Sequence, residues 1–314
     1  MNLKNKKILV TGGAGFIGRY LVNALLKKGS SVIVVDDFSK NTGRLSLKKV
    51  KLIKVKLPNS EFSKILKREK PEAIFHLTGT SYVPLSVQYP LKDLRSNTEI
   101  TLSILEAIRT VEPNTHMVYF SSAAVYGNPK KIPINEDDPV NPISPYGISK
   151  LAAERYAFVY SHIHNMKTAS LRPFSVYGPY QRKQVVFDLI DKLHKNPNEL
   201  FVHGTGSEVR DFVYVEDVTQ ACITVLERGK LEGEVYNVAS GKPISIKNLS
   251  HKIASIMNLN PKIIFSGKVR SGDPVHWKAN ITKIQKLGYR PSVNLEEGIR
   301  KTIFWYYDET KNAI

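Results

Sequence analysis

Apolar residues in the first half of the chain fall into two alternating kinds of run. Ile8-Leu9-Val10, Ser31 to Val35, Ala73 to Leu77, Met117 to Ser121 and Ala169 to Arg172 are short and nearly unbroken, as in strands buried on both faces. Between them apolar residues recur at helical spacing: Phe16, Ile17, Tyr20, Leu21, Ala24, Leu25 and Leu26 up to Gly29, then Phe62 to Lys70, Leu94 to Val111, and Tyr146 to His164. Such alternation predicts an α/β fold, a doubly wound parallel sheet with helices on both faces. Lys51 to Val55 mixes lysines with apolar residues and reads as an edge strand with one wet face. Near Pro173 the regular alternation stops, and Val213–Val215 and Val235–Val238 are the strands expected beyond it.

The turn between the first strand and first helix is Thr11-Gly12-Gly13-Ala14-Gly15-Phe16-Ile17-Gly18. Strand, glycine turn and helix form the context of a dinucleotide-binding fingerprint. Gly12 permits a tight turn, Gly15 lets backbone approach a pyrophosphate at the helix N-terminus, and Gly18 lets helix pack on strand. Asp36 ends the second strand, at the offset of a ribose-binding acid, and its charge favours NAD over NADP. Residues 1–172 are therefore expected to form a Rossmann NAD-binding domain. Residues 173–314 are expected to form a smaller α/β substrate domain, parts of which return to the first.

Composition narrows the classes. The 314 residues carry a formal net charge of +18 and one cysteine, Cys222. A lone cysteine in a buried-helix pattern excludes a disulfide framework and a cysteine-rich zinc site, and no metal site is expected. The lysines are dispersed and no nucleic-acid motif accompanies them, so the positive field fits an anionic small substrate better than a nucleic acid. Ile8-Leu9-Val10 is too short for a signal peptide and no long apolar run occurs. A soluble cytoplasmic protein is expected.

Tyr146-Gly147-Ile148-Ser149-Lys150 puts a phenol and an ammonium on one helix face. A nearby cation, with a positively charged nicotinamide, is expected to lower the tyrosine pKa. Ser121-Ser122-Ala123-Ala124-Val125-Tyr126-Gly127 ends a strand at the carboxyl edge, where such sheets bind ligands. Ser122 is placed to hydrogen-bond a substrate hydroxyl.

Together, Thr11–Gly18, Ser121–Gly127 and Tyr146–Lys150 resemble the extended short-chain dehydrogenase/reductases, and within them the nucleotide-sugar epimerases typified by UDP-glucose 4-epimerase. The resemblance spans Lys6 to about Tyr307. It implies Ser122, Tyr146 and Lys150 as catalytic residues. It also implies NAD held by Gly12, Gly15, Phe16, Ile17, Gly18, Asp36, Leu77, Asn97, Tyr146 and Lys150. Asn97 reads equally as a helix cap. A nucleotide-sugar would meet Ser175, Arg182, Arg210, Arg270 and Asp273, with Arg210 and Arg270 pairing with phosphate oxygens. Arg182 reads either as the partner of a uronate carboxylate or as a solvated loop residue.

Departures from the family pattern are informative. Ser175 stands where asparagine is common, and Lys56 where an aspartate would read adenine. Ala123 and Ala124 follow Ser122 where relatives that eliminate water or decarboxylate carry an acid. The expected activity is carbon-4 epimerisation of a UDP-hexose (glucose/galactose or glucuronate). A 4-keto-sugar reductase using NAD(P)H is the enzyme alternative, and a non-catalytic NAD-binding regulator the remaining one. Apolar residues on two faces of Leu94–Val111 and Tyr146–His164 predict a homodimer.

Overall fold

The structure, a computed structural model, describes residues 1–39, 50–268, 272 and 274–311. The chain begins β1 (Lys7–Thr11), α1 (Phe16–Lys27), β2 (Ser31–Asp36), β3 (Val50–Lys54), α2 (Glu61–Glu69) and β4 (Ala73–His76). Two short helices follow, α3 (Val83–Gln88) and α4 (Pro90–Leu94), and a π-helical turn (Arg95–Glu99) leads into α5 (Ile100–Val111). Then come β5 (His116–Phe120), α6 (Pro145–His164) and β6 (Thr168–Pro173). The second half holds β7 (Ser175–Tyr177), α7 (Gln184–Lys195), β8 (Glu199–Val202), β9 (Val209–Tyr214), α8 (Val215–Arg228) and β10 (Glu232–Val238). It closes with β11 (Pro243–Ser245), α9 (Ile246–Ile256), β12 (Lys262–Phe265), α10 (Thr282–Gln285) and α11 (Leu295–Lys311).

Seven strands form one sheet in the order β3-β2-β1-β4-β5-β6-β10, every neighbouring pair parallel. The runs expected to be buried on both faces are so: β4 is buried throughout and β1 from Ile8 onward. β3 is the expected edge strand, with Leu52 and both its lysines exposed. Strand order reverses between β1 and β4, so a cleft opens at their carboxyl ends.

The sheet is completed from beyond Pro173. β10 pairs with β6, and α8 packs on α1, with Val218, Cys222 and Leu226 in one core with Leu21, Val22 and Leu25. Cys222 is fully buried and its thiol donates to the Val218 carbonyl (3.0 Å), a packing role. Val215, expected in a strand, instead opens α8. The remainder of the second half forms a three-stranded sheet, β11-β9-β7, and a β12-β8 pair, over a separate core with α7, α9 and α11. The short strands β7, β8, β11 and β12 were not legible as apolar runs. No helix among the described residues is long and apolar enough to cross a membrane.

Candidate active site

The glycine turn follows β1 at the point of strand reversal. Gly12 has φ +71°, and a Cβ there would lie 2.8 Å from the Thr78 amide nitrogen. The loops after β1 and β4 therefore touch, which only glycine permits. A Cβ on Gly18 would strike the Gly12 carbonyl oxygen. Gly15 offers α1 no side-chain cap and no acid sits in its first turn, so the N–H groups of the half-buried Phe16 and Ile17 are positioned for an anion. Asp36 accepts from the Ala14 amide (3.0 Å) and the Phe38 amide (2.8 Å). That ties the acid to the turn and leaves lone pairs for hydroxyls. Leu77 follows β4, its amide donating to the Thr11 carbonyl (3.1 Å).

Asn97 does not cap a helix. Helical backbone runs on from Pro90 through the π-helical turn, and Asn97 lies inside that turn, 1 % exposed. Its Nδ2 donates to Thr80 Oγ1 (2.9 Å) and Asp93 Oδ1 (3.2 Å). Its Oδ1, without a partner, lies against Gly79 in the loop after β4. An uncapped helix N-terminus, a tethered acid after β2 and an orphaned buried amide oxygen beside the second loop all suit NAD. These residues fit the cofactor.

α6 starts at Pro145, one residue earlier than expected, with Ser144 as its cap: the Ser144 hydroxyl accepts from the Gly147 amide (3.1 Å). The Tyr146 amide donates to Ser86 Oγ on α3 (3.1 Å), a tether that no sequence spacing suggests. Tyr146 is 8 % exposed and Lys150 5 %. The Lys150 ammonium donates to the Phe120 carbonyl at the end of β5 (2.5 Å) and stands 4.9 Å from the Tyr119 ring centre. Ser122 Oγ accepts from the Ala124 amide (3.1 Å), which directs its own O–H elsewhere. Ser122, Tyr146 and Lys150 thus meet at the carboxyl edge of β5.

Burial dominates the electrostatics of the protein without its cofactor. Burial pushes the Tyr146 phenol up to about 12, only partly opposed by Ser122, and brings Lys150 down to about 8. Desolvation is the largest cause for both groups. His76, fully buried between Thr11 Oγ1 (2.7 Å) and Thr101 Oγ1 (3.1 Å), is brought down to about 3 and stays neutral.

In the second half, Ser175 pairs with Phe212 and Arg210 lies two residues before it on β9, so both occupy one face. Arg210 Nη1 donates to the Val209 (3.0 Å) and Val275 (3.3 Å) carbonyls, and its guanidinium lies 5.7 Å from the Trp277 ring centre. Trp277 Nε1 donates to the Gly127 carbonyl (3.1 Å), which links Arg210 to the turn that carries Ser122. Arg182 is not drawn into this group. Its guanidinium pairs with Glu309 and faces Trp305, both on α11. Arg270 and Asp273 lie outside the described residues.

Residues 8–239 match the model of the NAD dependent epimerase/dehydratase family. The chain belongs to that family. It is 32 % identical over 316 residues to the UDP-glucose 4-epimerase of Mycolicibacterium smegmatis, covering 97 % of this chain and 100 % of that one. The UDP-glucuronic acid 4-epimerase of Bacillus cereus, solved with UDP-glucuronic acid and NAD, superposes with a TM-score of 0.88 at 30 % identity, over 96 % and 99 % of the two chains. The UDP-N-acetylglucosamine 4-epimerase of Methanobrevibacter ruminantium, solved with UDP-N-acetylmuramic acid, gives 0.89 at 29 %, over 98 % and 99 %. Rossmann fold and NAD dependence are thus those of the family, while the sugar differs among these relatives.

Proposed function

We propose that this family member is a nucleotide-sugar 4-epimerase, interconverting carbon-4 epimers of a UDP-hexose with NAD retained between turnovers. The observation that carries this reading is the company Ser122 keeps. Ala123 is fully buried, Ala124 half-buried, and the turn they form packs on α6 at Gly147. Methyl groups there provide no acid for a departing hydroxyl, so elimination forgoes roughly 10²–10⁴-fold of proton-transfer help. NAD, when bound, supplies the reversible hydride acceptor at carbon 4 and a positive charge beside the phenol. Tyr146 takes and returns the proton of the 4-hydroxyl. Ser122 donates to the sugar oxygen, and Lys150 holds positive charge next to the phenol. Ser175 and Arg210 face the diphosphate.

The same reading makes the protein a cytoplasmic homodimer. α3, α4 and α6 pack together and leave Leu85, Leu91, Leu94, Ile148, Val159 and Ile163 exposed, a patch suited to a second copy. α5 contributes less than expected, since Ile100, Ile104, Leu105 and Ile108 are buried against the protein's own core. A monomer at micromolar concentration in light scattering would remove the dimer.

Purified protein, given a matching UDP-sugar and no added cofactor, should bring carbon-4 epimers to equilibrium, and mass spectrometry of the denatured protein should find NAD. A need for stoichiometric NAD(P)H, or build-up of a 4-keto-6-deoxy sugar, would overturn the proposal.

A further inference from the structure

Asp93 on α4 is a carboxylate in the wrong place for a surface acid. It is 3 % exposed. Oδ1 accepts from Thr80 Oγ1 (2.6 Å) and Asn97 Nδ2 (3.2 Å), while Oδ2, equally buried, has no hydrogen-bond partner. No ammonium or guanidinium among the described residues bonds to it, and a buried charge without a nearby opposite charge is costly. The helix that α4 packs against is α6, which carries Tyr146 and Lys150.

We propose that Asp93 is the buried counter-ion of the Tyr146–Lys150 pair, a positioning residue that keeps the Lys150 amine protonated while the phenol exchanges its proton. The inference rests on the reading of Tyr146 and Lys150 as the reacting pair.

The surroundings of Lys150 leave this part to Asp93. On β5, Tyr119 is neutral, since burial raises its phenol well above the ordinary range. On β4, His76 is neutral from the same cause acting in the other direction, since burial brings its imidazole down. On α6 itself Tyr146 is protonated, and Glu154 is neutralised by Arg172 through two hydrogen bonds (2.6 and 3.0 Å). α3 carries no charged side chain, and Arg95 and Glu99 on the π-helical turn point into solvent. Among the described residues Asp93 is the one buried net charge that acts on both members of the pair, and it favours the protonated form of each.

The test is Asp93→Asn, which keeps an oxygen for Thr80 and Asn97 and removes the charge. In the NAD-loaded enzyme both limbs of the pH profile of kcat, which belong to the coupled pair, should move toward acid together by roughly one unit. Asp93→Glu should return them, at whatever height. A purely structural role would lower the plateau and leave the limbs in place, which would overturn the proposal. A direct measurement needs no sugar: NMR titration of labelled lysine ammonium groups, with Lys150 assigned by its loss in Lys150→Met. The Lys150 transition should fall by roughly one unit in Asp93→Asn; an unchanged value would overturn the proposal. Should Asp93→Asn fail to fold, the wild type still decides, because a Lys150 amine already neutral below about pH 7 has no effective counter-ion. A protein that titrates as described but epimerises no sugar fails the functional reading and leaves this one standing.

Discussion

Two walls of the site are built on opposite principles. One, from α4, the π-helical turn, β5 and α6, is dry: Asp93, Asn97, Tyr146 and Lys150 are each less than a tenth exposed and held by neighbouring hydroxyls, amides and carbonyls. The other, from β7, β9 and the loop after β7, is cationic and partly open, with Ser175 and Arg210 half-buried and Lys183 exposed. Lys183 reaches the start of α3, which packs on the first wall, 5.0 Å from the Tyr82 ring centre. A dry wall makes each charge count for more, because little solvent screens it. A wet wall keeps its cations hydrated until an anion arrives. The proposed function puts proton transfer on the first and diphosphate capture on the second.

That division can be broken by substitution. The largest effect is expected from Tyr146→Phe, a loss of roughly 10³-fold in kcat with NAD content unchanged by mass spectrometry. Loss of NAD instead would mean that the phenol works through binding. On the other wall, Arg210→Ala should raise KM for the UDP-sugar roughly thirtyfold, about 2 kcal/mol for a charge-assisted contact, with kcat nearly kept. A fall confined to kcat would put Arg210 with the chemistry. Gly18→Ala drives a methyl into the Gly12 carbonyl. It should cost about 1–3 kcal/mol, read as NAD lost on gel filtration and a lowered Tm.

Smallest is Arg182→Ala. Its ion pair with Glu309 is exposed on both sides, so stability should change by less than about 1 kcal/mol. Turnover measured with UDP-glucuronate and UDP-glucose sharpens the point. A loss for the uronate alone would move Arg182 onto the sugar wall; equal values leave it with α11.

Much of the dry wall's scaffold was legible and much of its wiring was not. Periodicity found the six strands from β1 to β6 and the helices α1, α2, α5 and α6, because a buried parallel strand and an amphipathic helix write different repeats; α7, α9 and α11 went unread. The glycine turn, Asp36, Ser122, Tyr146 and Lys150 stood out by spacing along single elements. Ser86, Thr80 and Asp93 did not: Ser86 meets Tyr146 from a distant stretch of chain, and although Asp93 lies close in sequence to Thr80 and Asn97, no local rule pairs α3 or α4 with α6. Asn97 reads as a possible cap in sequence because the two short proline-started helices before it, at Val83 and Pro90, leave no continuous apolar stripe. The depth of Tyr146 and Lys150 was hidden for a related reason: spacing reveals a neighbouring lysine but not how far both are buried.

The outermost strand of the large sheet has a bearing on how the protein is made. Synthesis delivers β6 long before β10, so the emerging chain carries an open strand edge, and α1 shows Leu21, Val22 and Leu25 with no α8 to cover them. Until Glu232–Val238 has left the ribosome the cofactor half cannot close, and it is a surface that chaperones would hold. Nascent protein should therefore acquire NAD late and all at once, rather than when the glycine turn first appears.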